Sequence, residues 1–136
     1  MKYRIIDDLT SDVLFKARGK DMKDVFENAA LAMFSVICEV ERVKPEKMLE
    51  VEVQAESADR LMINWLQELI GLVDTESMFF SKFEVTEIGE KRLKARIYGE
   101  DMTPEKGETV VKAVTYYKYK FQKTKEGYSV TVSLDI

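Results

Sequence analysis

Residues 12–37 read DVLFKARGKDMKDVFENAALAMFSVI, and the hydrophobic period changes once within them. Up to Gly19 the period is two. Val13, Phe15 and Ala17 fall on one face of a strand over 12–18, alternating with Leu14, Lys16 and Arg18. Beyond Gly19 the period is that of a helix. Met22, Val25, Phe26, Ala29, Ala30, Met33 and Ile37 form one apolar stripe on about four turns. Asp21 is placed to cap that helix, and Asp24 lies in its first turn, where a carboxylate suits the dipole. A strand that passes at a glycine into an amphipathic helix is the unit from which the rest is read.

Towards the N-terminus, residues 3–7 form a short strand, joined to 12–18 by the oxygen-rich turn Asp8-Leu9-Thr10-Ser11. Towards the C-terminus, a charged connection over 38–48 contains Pro45. After it Leu49, Val51 and Val53 alternate with Glu50, Glu52 and Gln54 as in a half-buried strand. Ser57 is expected to cap a second helix whose stripe is Leu61, Met62, Trp65, Leu66, Leu69 and Ile70. Everything after Asp74 reads as strands. Residues 78–87 are expected to place Phe79, Phe83 and Val85 on one face, and Gly89-Glu90 turns the chain into 92–98. A loop over 99–109 precedes a long strand, 110–122. Lys125-Glu126-Gly127 then turns into a last strand carrying Tyr128, Val130, Val132, Leu134 and Ile136. The order is ββαβα followed by a run of β-strands. The fold class is α+β, with residues 1–136 as a single domain in which two amphipathic helices pack on a largely antiparallel or mixed β-sheet.

Composition narrows the chemistry. The 136 residues include no histidine and one cysteine, Cys38. That excludes Ser-His-Asp and Cys-His catalysis, histidine zinc sites, an internal disulfide and a cysteine-rich metal site. Charged residues make up 34%, while Asn and Gln are sparse, a balance that leans towards a heat-adapted source. The net charge of −4 supplies no overall drive towards nucleic acid. No apolar run reaches the ~18 residues of a membrane span, and the first residues lack the pattern of a signal peptide. A soluble, cytoplasmic protein is expected, with no membrane and no DNA among its partners. None of the six glycines builds a phosphate-cradling motif.

What remains for chemistry is oxygen. Asp7, Asp8 and Asp12 crowd one turn, where aspartate also serves simply to bond backbone N–H groups. An alternation running to Ile136 should hold Asp135 and the terminal carboxylate together at a strand end, two thirds of a hard-cation site. The last hairpin interleaves Lys112, Lys118, Lys120, Lys123 and Lys125 with Tyr116, Tyr117, Tyr119 and Phe121. Such a mixture can stack single-stranded RNA, but the alternation favours Tyr117, Tyr119 and Phe121 in the core with Lys118 and Lys120 outside. Trp65 and Cys38 read as core, and the glutamates over 39–56 as a solvated face.

Several segments, in order, resemble the archease family. Asp8-Leu9-Thr10-Ser11-Asp12-Val13 is similar to its Asp-His-Thr-Ala-Asp-Val opening, and Glu27-Asn28-Ala29-Ala30-Leu31-Ala32-Met33-Phe34 to its first helix. Asn64-Trp65-Leu66-Gln67-Glu68-Leu69 with Asp74-Thr75-Glu76 resembles its second helix. Tyr98-Gly99-Glu100, Lys112-Ala113-Val114-Thr115-Tyr116 and Leu134-Asp135-Ile136 match its later landmarks. The resemblance implies a non-enzymatic accessory protein of the GTP-dependent tRNA-splicing RNA ligase, promoting ligase guanylylation and multiple turnover. Its partner would be that ligase, with tRNA met indirectly. The implied cofactor is a divalent metal, Ca²⁺ first and Mg²⁺ or Mn²⁺ as alternatives. The implied ligands are Asp12, Asp135 and the carboxylate of Ile136, with Asp8 and Lys112 as second-rank functional positions. Three family histidines are replaced, by Leu9, Gly107 and Tyr117. The alternative is a metal-stabilised chaperone-like or protein-binding module acting on tRNA-processing or modifying enzymes.

Overall fold

The structure is a computed structural model that describes residues 2–8 and 11–136, without the side chains of Asp7 and Asp8. Its strands are β1 (Tyr3–Asp8), β2 (Asp12–Gly19), β3 (Lys47–Gln54), β4 (Met78–Ile88), β5 (Arg92–Asp101), β6 (Ala113–Thr124) and β7 (Gly127–Asp135). The helices are α1 (Met22–Ile37) and α2 (Ala58–Glu76). The element order is the one expected. The strands divide into two antiparallel sheets, a four-stranded one in the order β1-β2-β7-β6 and a three-stranded one in the order β3-β5-β4.

Both helices lie between the sheets. α1 packs on β2 on one side and β4 on the other, and α2 packs on β6 as well as on β3 and β4. A helix covered on two sides must be apolar beyond one stripe. Val25, Phe26, Ala29, Ala30, Ala32, Met33 and Phe34 of α1 are all fully buried. Trp65 joins the layers. Its ring meets Phe83 edge-on, and its indole N–H donates to the Phe26 carbonyl at 3.0 Å.

The helix caps differ from each other. Asp21 caps α1 as expected, its carboxylate accepting from the Asp24 N–H at 2.8 Å. Ser57 occupies the cap position of α2, but its hydroxyl donates instead to Asp59 Oδ1 at 2.6 Å. That bond holds the Asp59 carboxyl below the usual carboxylate range.

Two irregularities correct the expected strand faces. A bulge between Phe80 and Lys82 reverses the alternation of β4. Phe80, and not Phe79, therefore shares the inner face with Phe83 and Val85. Phe79 points the other way, yet remains 5% exposed because the chain around Gly107 covers it. A Cβ at Gly99 would overlap the Phe79 carbonyl oxygen, so the close approach of β5 to this bulge requires glycine.

The second irregularity is larger. In β6 the register passes from Thr115 opposite Ser133 to Lys120 opposite Thr131, so residues 116–119 bulge out of the ladder. Lys118 there adopts φ +52°, in the left-handed region. Tyr116 and Tyr117 are consequently 59% and 55% exposed, and Tyr117 is not a core residue. Tyr119 is anchored, its hydroxyl donating to the Asp59 carbonyl at 2.6 Å, and burial raises its pKa. The strand also begins at Ala113, later than the expected 110.

Candidate functional site

The outer face of the four-stranded sheet carries the candidate residues. On β2, the buried Val13, Phe15 and Ala17 face the helices, which leaves Asp12, Leu14, Lys16 and Arg18 on the opposite side. On β7 the register places Asp135 opposite Asp12, and Ser133, Thr131 and Ser129 opposite Leu14, Lys16 and Arg18. β6 adds Ala113 opposite Asp135 and Thr115 opposite Ser133.

Asp12 and Asp135 are thus direct cross-strand neighbours. The Ile136 N–H donates to the Ser11 carbonyl at 3.1 Å, which makes residues 11 and 136 a hydrogen-bonded pair. The alternation of an antiparallel ladder then makes Asp12 and Asp135 a non-hydrogen-bonded pair, the type with Cα atoms only about 4.5 Å apart. Two carboxylates in that relation repel, and the arrangement costs stability unless a cation lies between them. The Lys112 N–H fixes the Asp135 carbonyl at 2.7 Å, while the Lys112 side chain is exposed.

Among the described residues no three His, Cys, Asp or Glu side chains converge. The described side chains supply two carboxylates here, Asp12 and Asp135. The backbone of Asp8 registers opposite Val13, but its side chain lies outside the described residues, as does Leu9. The donor set that is present fits a hard cation, since it is all oxygen and anionic. One row further along the same face, the buried hydroxyls of Ser133 and Thr115 have no hydrogen-bond partner. They are polar atoms with spare capacity beside the carboxylates.

The other two histidine-replacement positions lie elsewhere. Gly107 forms an isolated bridge with Cys38, and Tyr117 sits on the β6 bulge with the Lys118 ammonium 5.4 Å from its ring centre. Burial pushes the Cys38 thiol up to about 12, which removes it as a nucleophile.

The family model described as "Archease protein family (MTH1598/TM1083)" matches residues 3–136. The chain belongs to the archease family. Protein archease of Methanosarcina mazei is 40% identical over 99% of this chain and 96% of its own length. That of Archaeoglobus fulgidus is 34% identical over the whole of both chains. The solution structure of Methanobacterium thermoautotrophicum protein 1598 superposes with a TM-score of 0.83 at 31% identity, covering 99% of each chain. A Thermotoga maritima structure described as "an archease, possible chaperone" has a TM-score of 0.69 at 17% identity, covering 98% of this chain and 97% of its own, and so shares the fold.

Sequence reasoning missed the cations that share this archease fold's outer face with the carboxylates. Arg4 lies opposite Lys16, and the Arg18 N–H donates to the Lys2 carbonyl, which brings Lys2 alongside Arg18. The signal was available in the alternation of Lys16 and Arg18 with Phe15 and Ala17.

Proposed function

We propose that this archease-family protein is an accessory activator of the GTP-dependent tRNA-splicing RNA ligase and holds a divalent cation on Asp12 and Asp135. The main-chain carboxylate of Ile136 is the third donor, and Ca²⁺ is the preferred ion over Mg²⁺ or Mn²⁺. The observation that carries the reading is the placement of Asp12 directly opposite Asp135 in a non-hydrogen-bonded pair. No folding advantage accounts for that pair, whereas an oxygen-seeking cation does.

Bound there, the ion would supply positive charge for the phosphates of a nucleotide being transferred to the ligase. The chain's own residues do the positioning. β2 and β7 hold Asp12 and Asp135 directly opposite each other, and the Lys112 and Ile136 N–H groups lock the backbone on either side of Asp135. Asp8 is a further functional position that the family resemblance implies; only its backbone, paired with Val13 on β2, is described. Lys112, exposed beside the pair, offers an ammonium to the partner's anionic groups. The protein assists the ligase without turnover of its own, consistent with the absence of histidine and of an activated thiol.

The test is guanylylation of the cognate ligase with GTP, with and without this protein. Wild type is expected to stimulate, and Asp12→Ala to abolish stimulation while keeping the far-UV spectrum and melting behaviour of a folded chain. Undiminished stimulation by a folded Asp12→Ala would remove the site from the mechanism.

A second reading, a chaperone-like protein-binding module, draws on one feature. An apolar cavity of about 520 Å³, lined by Ile37, Ile70, Phe79, Met102 and Val111, opens beside Val110, which is 80% exposed. Stimulation of the ligase that survives Asp12→Ala but fails on Val110→Glu would favour it.

A further inference from the structure

The outer face of the four-stranded sheet has a second chemical character, away from the carboxylates. Along β2, Asp12 is followed on that face by Leu14, Lys16 and Arg18, and β1 brings Arg4 and Lys2 alongside the last two. Four cations thus form a two-by-two array. They are spaced about 5 Å across the strands and roughly 7 Å along them.

The array works against the fold. Arg4 directly opposite Lys16 is a like-charge pair, which destabilises a sheet. Edge protection explains lysine and arginine on β1, but β2 is an interior strand, so it does not explain Lys16 and Arg18. Among the described residues none of the four has an ion-pair partner, although the chain as a whole is anionic.

The array borders a cleft of about 590 Å³ that adds Lys20 and Lys125 to Lys2, Lys16 and Arg18. Only two acidic residues, Asp24 and Glu126, face the same space, and the Asp24 carboxylate already accepts from the Lys20 backbone N–H at 3.0 Å. The remaining polar lining, Asn28, Gln122, Thr124, Tyr128 and Ser129, is neutral, and amide and hydroxyl groups of this kind hydrogen-bond to phosphate or sugar oxygens. On the far edge strand of the same sheet, the β6 bulge exposes Tyr117, a ring on which an unpaired base can stack, while Tyr116 packs edge-on against the α2-anchored Tyr119.

We infer that this face is a docking surface for the sugar–phosphate backbone of single-stranded RNA, with Lys16 and Arg18 at its centre and Lys2 and Arg4 beside them. The choice of RNA over another polyanion rests on the ligase reading above, because β2 carries the cations on the same face as Asp12. An RNA strand lying along β2 would lead towards the carboxylate pair, where the ligase acts. The protein would then help to hold the ligase's substrate as well as to activate the enzyme.

The experiment is fluorescence anisotropy of a labelled single-stranded oligoribonucleotide titrated with the full chain across a range of salt. Wild type should bind at low salt, with log K falling steeply as log salt rises. Lys16→Glu with Arg18→Glu should weaken binding at least about tenfold and reduce the salt slope by about 1.4, the loss expected for two phosphate contacts on a single strand. Asp12→Ala should bind RNA as wild type does even where it fails in guanylylation, so the two proposals fail separately. Lys94→Glu with Arg96→Glu, on the opposite sheet, should leave RNA binding unaltered.

No RNA binding by wild type, or equal binding by the Lys16/Arg18 variant with a native melting curve, would overturn the proposal. An equal loss in the Lys94/Arg96 control would overturn it too, since the effect would then be one of net charge. A Lys16/Arg18 variant that loses guanylylation without any RNA effect would assign the face to a protein contact instead.

Discussion

The outer faces of the two sheets are built on opposite electrostatic rules. On the three-stranded sheet, unlike charges oppose one another across strands: Glu50 faces Arg96, Glu52 faces Lys94, Glu84 faces Arg96 and Glu87 faces Lys94. Several close into ion pairs, with Arg92–Glu52 at 3.0 Å, Lys94–Glu87 at 3.7 Å, and Arg96 reaching both Glu50 and Glu84 at 4.0 and 3.9 Å. On the four-stranded sheet, Asp12 opposes Asp135 and Arg4 opposes Lys16. One face satisfies its own charges and the other leaves them for something else to satisfy. Cross-strand pairs are worth only about 0.2–1 kcal/mol each, so a fold of this size can carry a few unfavourable ones. Their concentration on one face is what points to ligands there.

The largest effect is expected from Trp65→Ala, because the indole lies in the layer that both sheets cover. A loss of about 3–5 kcal/mol, with both sheets melting in one transition by denaturant titration, would show that they share one core. Separate transitions would show that the two faces belong to independent units.

Next comes charge reversal, which should have opposite signs on the two sheets. Arg96→Glu places a carboxylate between Glu50 and Glu84 and should cost about 1 kcal/mol. Lys16→Glu places a carboxylate opposite Arg4 and should add roughly 0.2–1 kcal/mol, while weakening RNA binding. Urea midpoints of the two variants, in low salt, test both signs.

The smallest effect concerns Cys38. Burial raises its pKa to about 12, so the protonated thiol is the native form. A group whose pKa is raised by folding contributes stability below its unfolded pKa, and that contribution is lost as pH rises towards the folded value. Cys38→Ala should accordingly flatten the loss of stability above pH ~9. In the native protein, alkylation of Cys38 at neutral pH should be far slower than in urea.

Much of the fold was legible in the sequence because its signals are local. The change of period at Gly19, the Asp21 cap and the two-residue turn at Lys125-Glu126 each depend on a few adjacent residues. The bulges were not legible. Phe79-Phe80 and Tyr116–Tyr119 are runs in which either parity is chemically acceptable, and only pairing with β5 and β7 decides which residue turns inward. The candidate site has the same limit. Asp12 and Asp135 stand 123 positions apart in the chain, and no spacing rule brings them together. The family resemblance named both residues, and the β2–β7 register shows how they meet.

The most direct test of an outer face organised for ligands is the melting temperature of wild type and Asp12→Asn, each with EDTA and with excess Ca²⁺. In EDTA, Asp12→Asn should be the more stable of the two, since it removes a like-charge pair. Ca²⁺ should raise the melting temperature of wild type past that of the variant and leave the variant nearly unchanged. A less stable Asp12→Asn in EDTA, or an equal Ca²⁺ response in both proteins, would contradict the account.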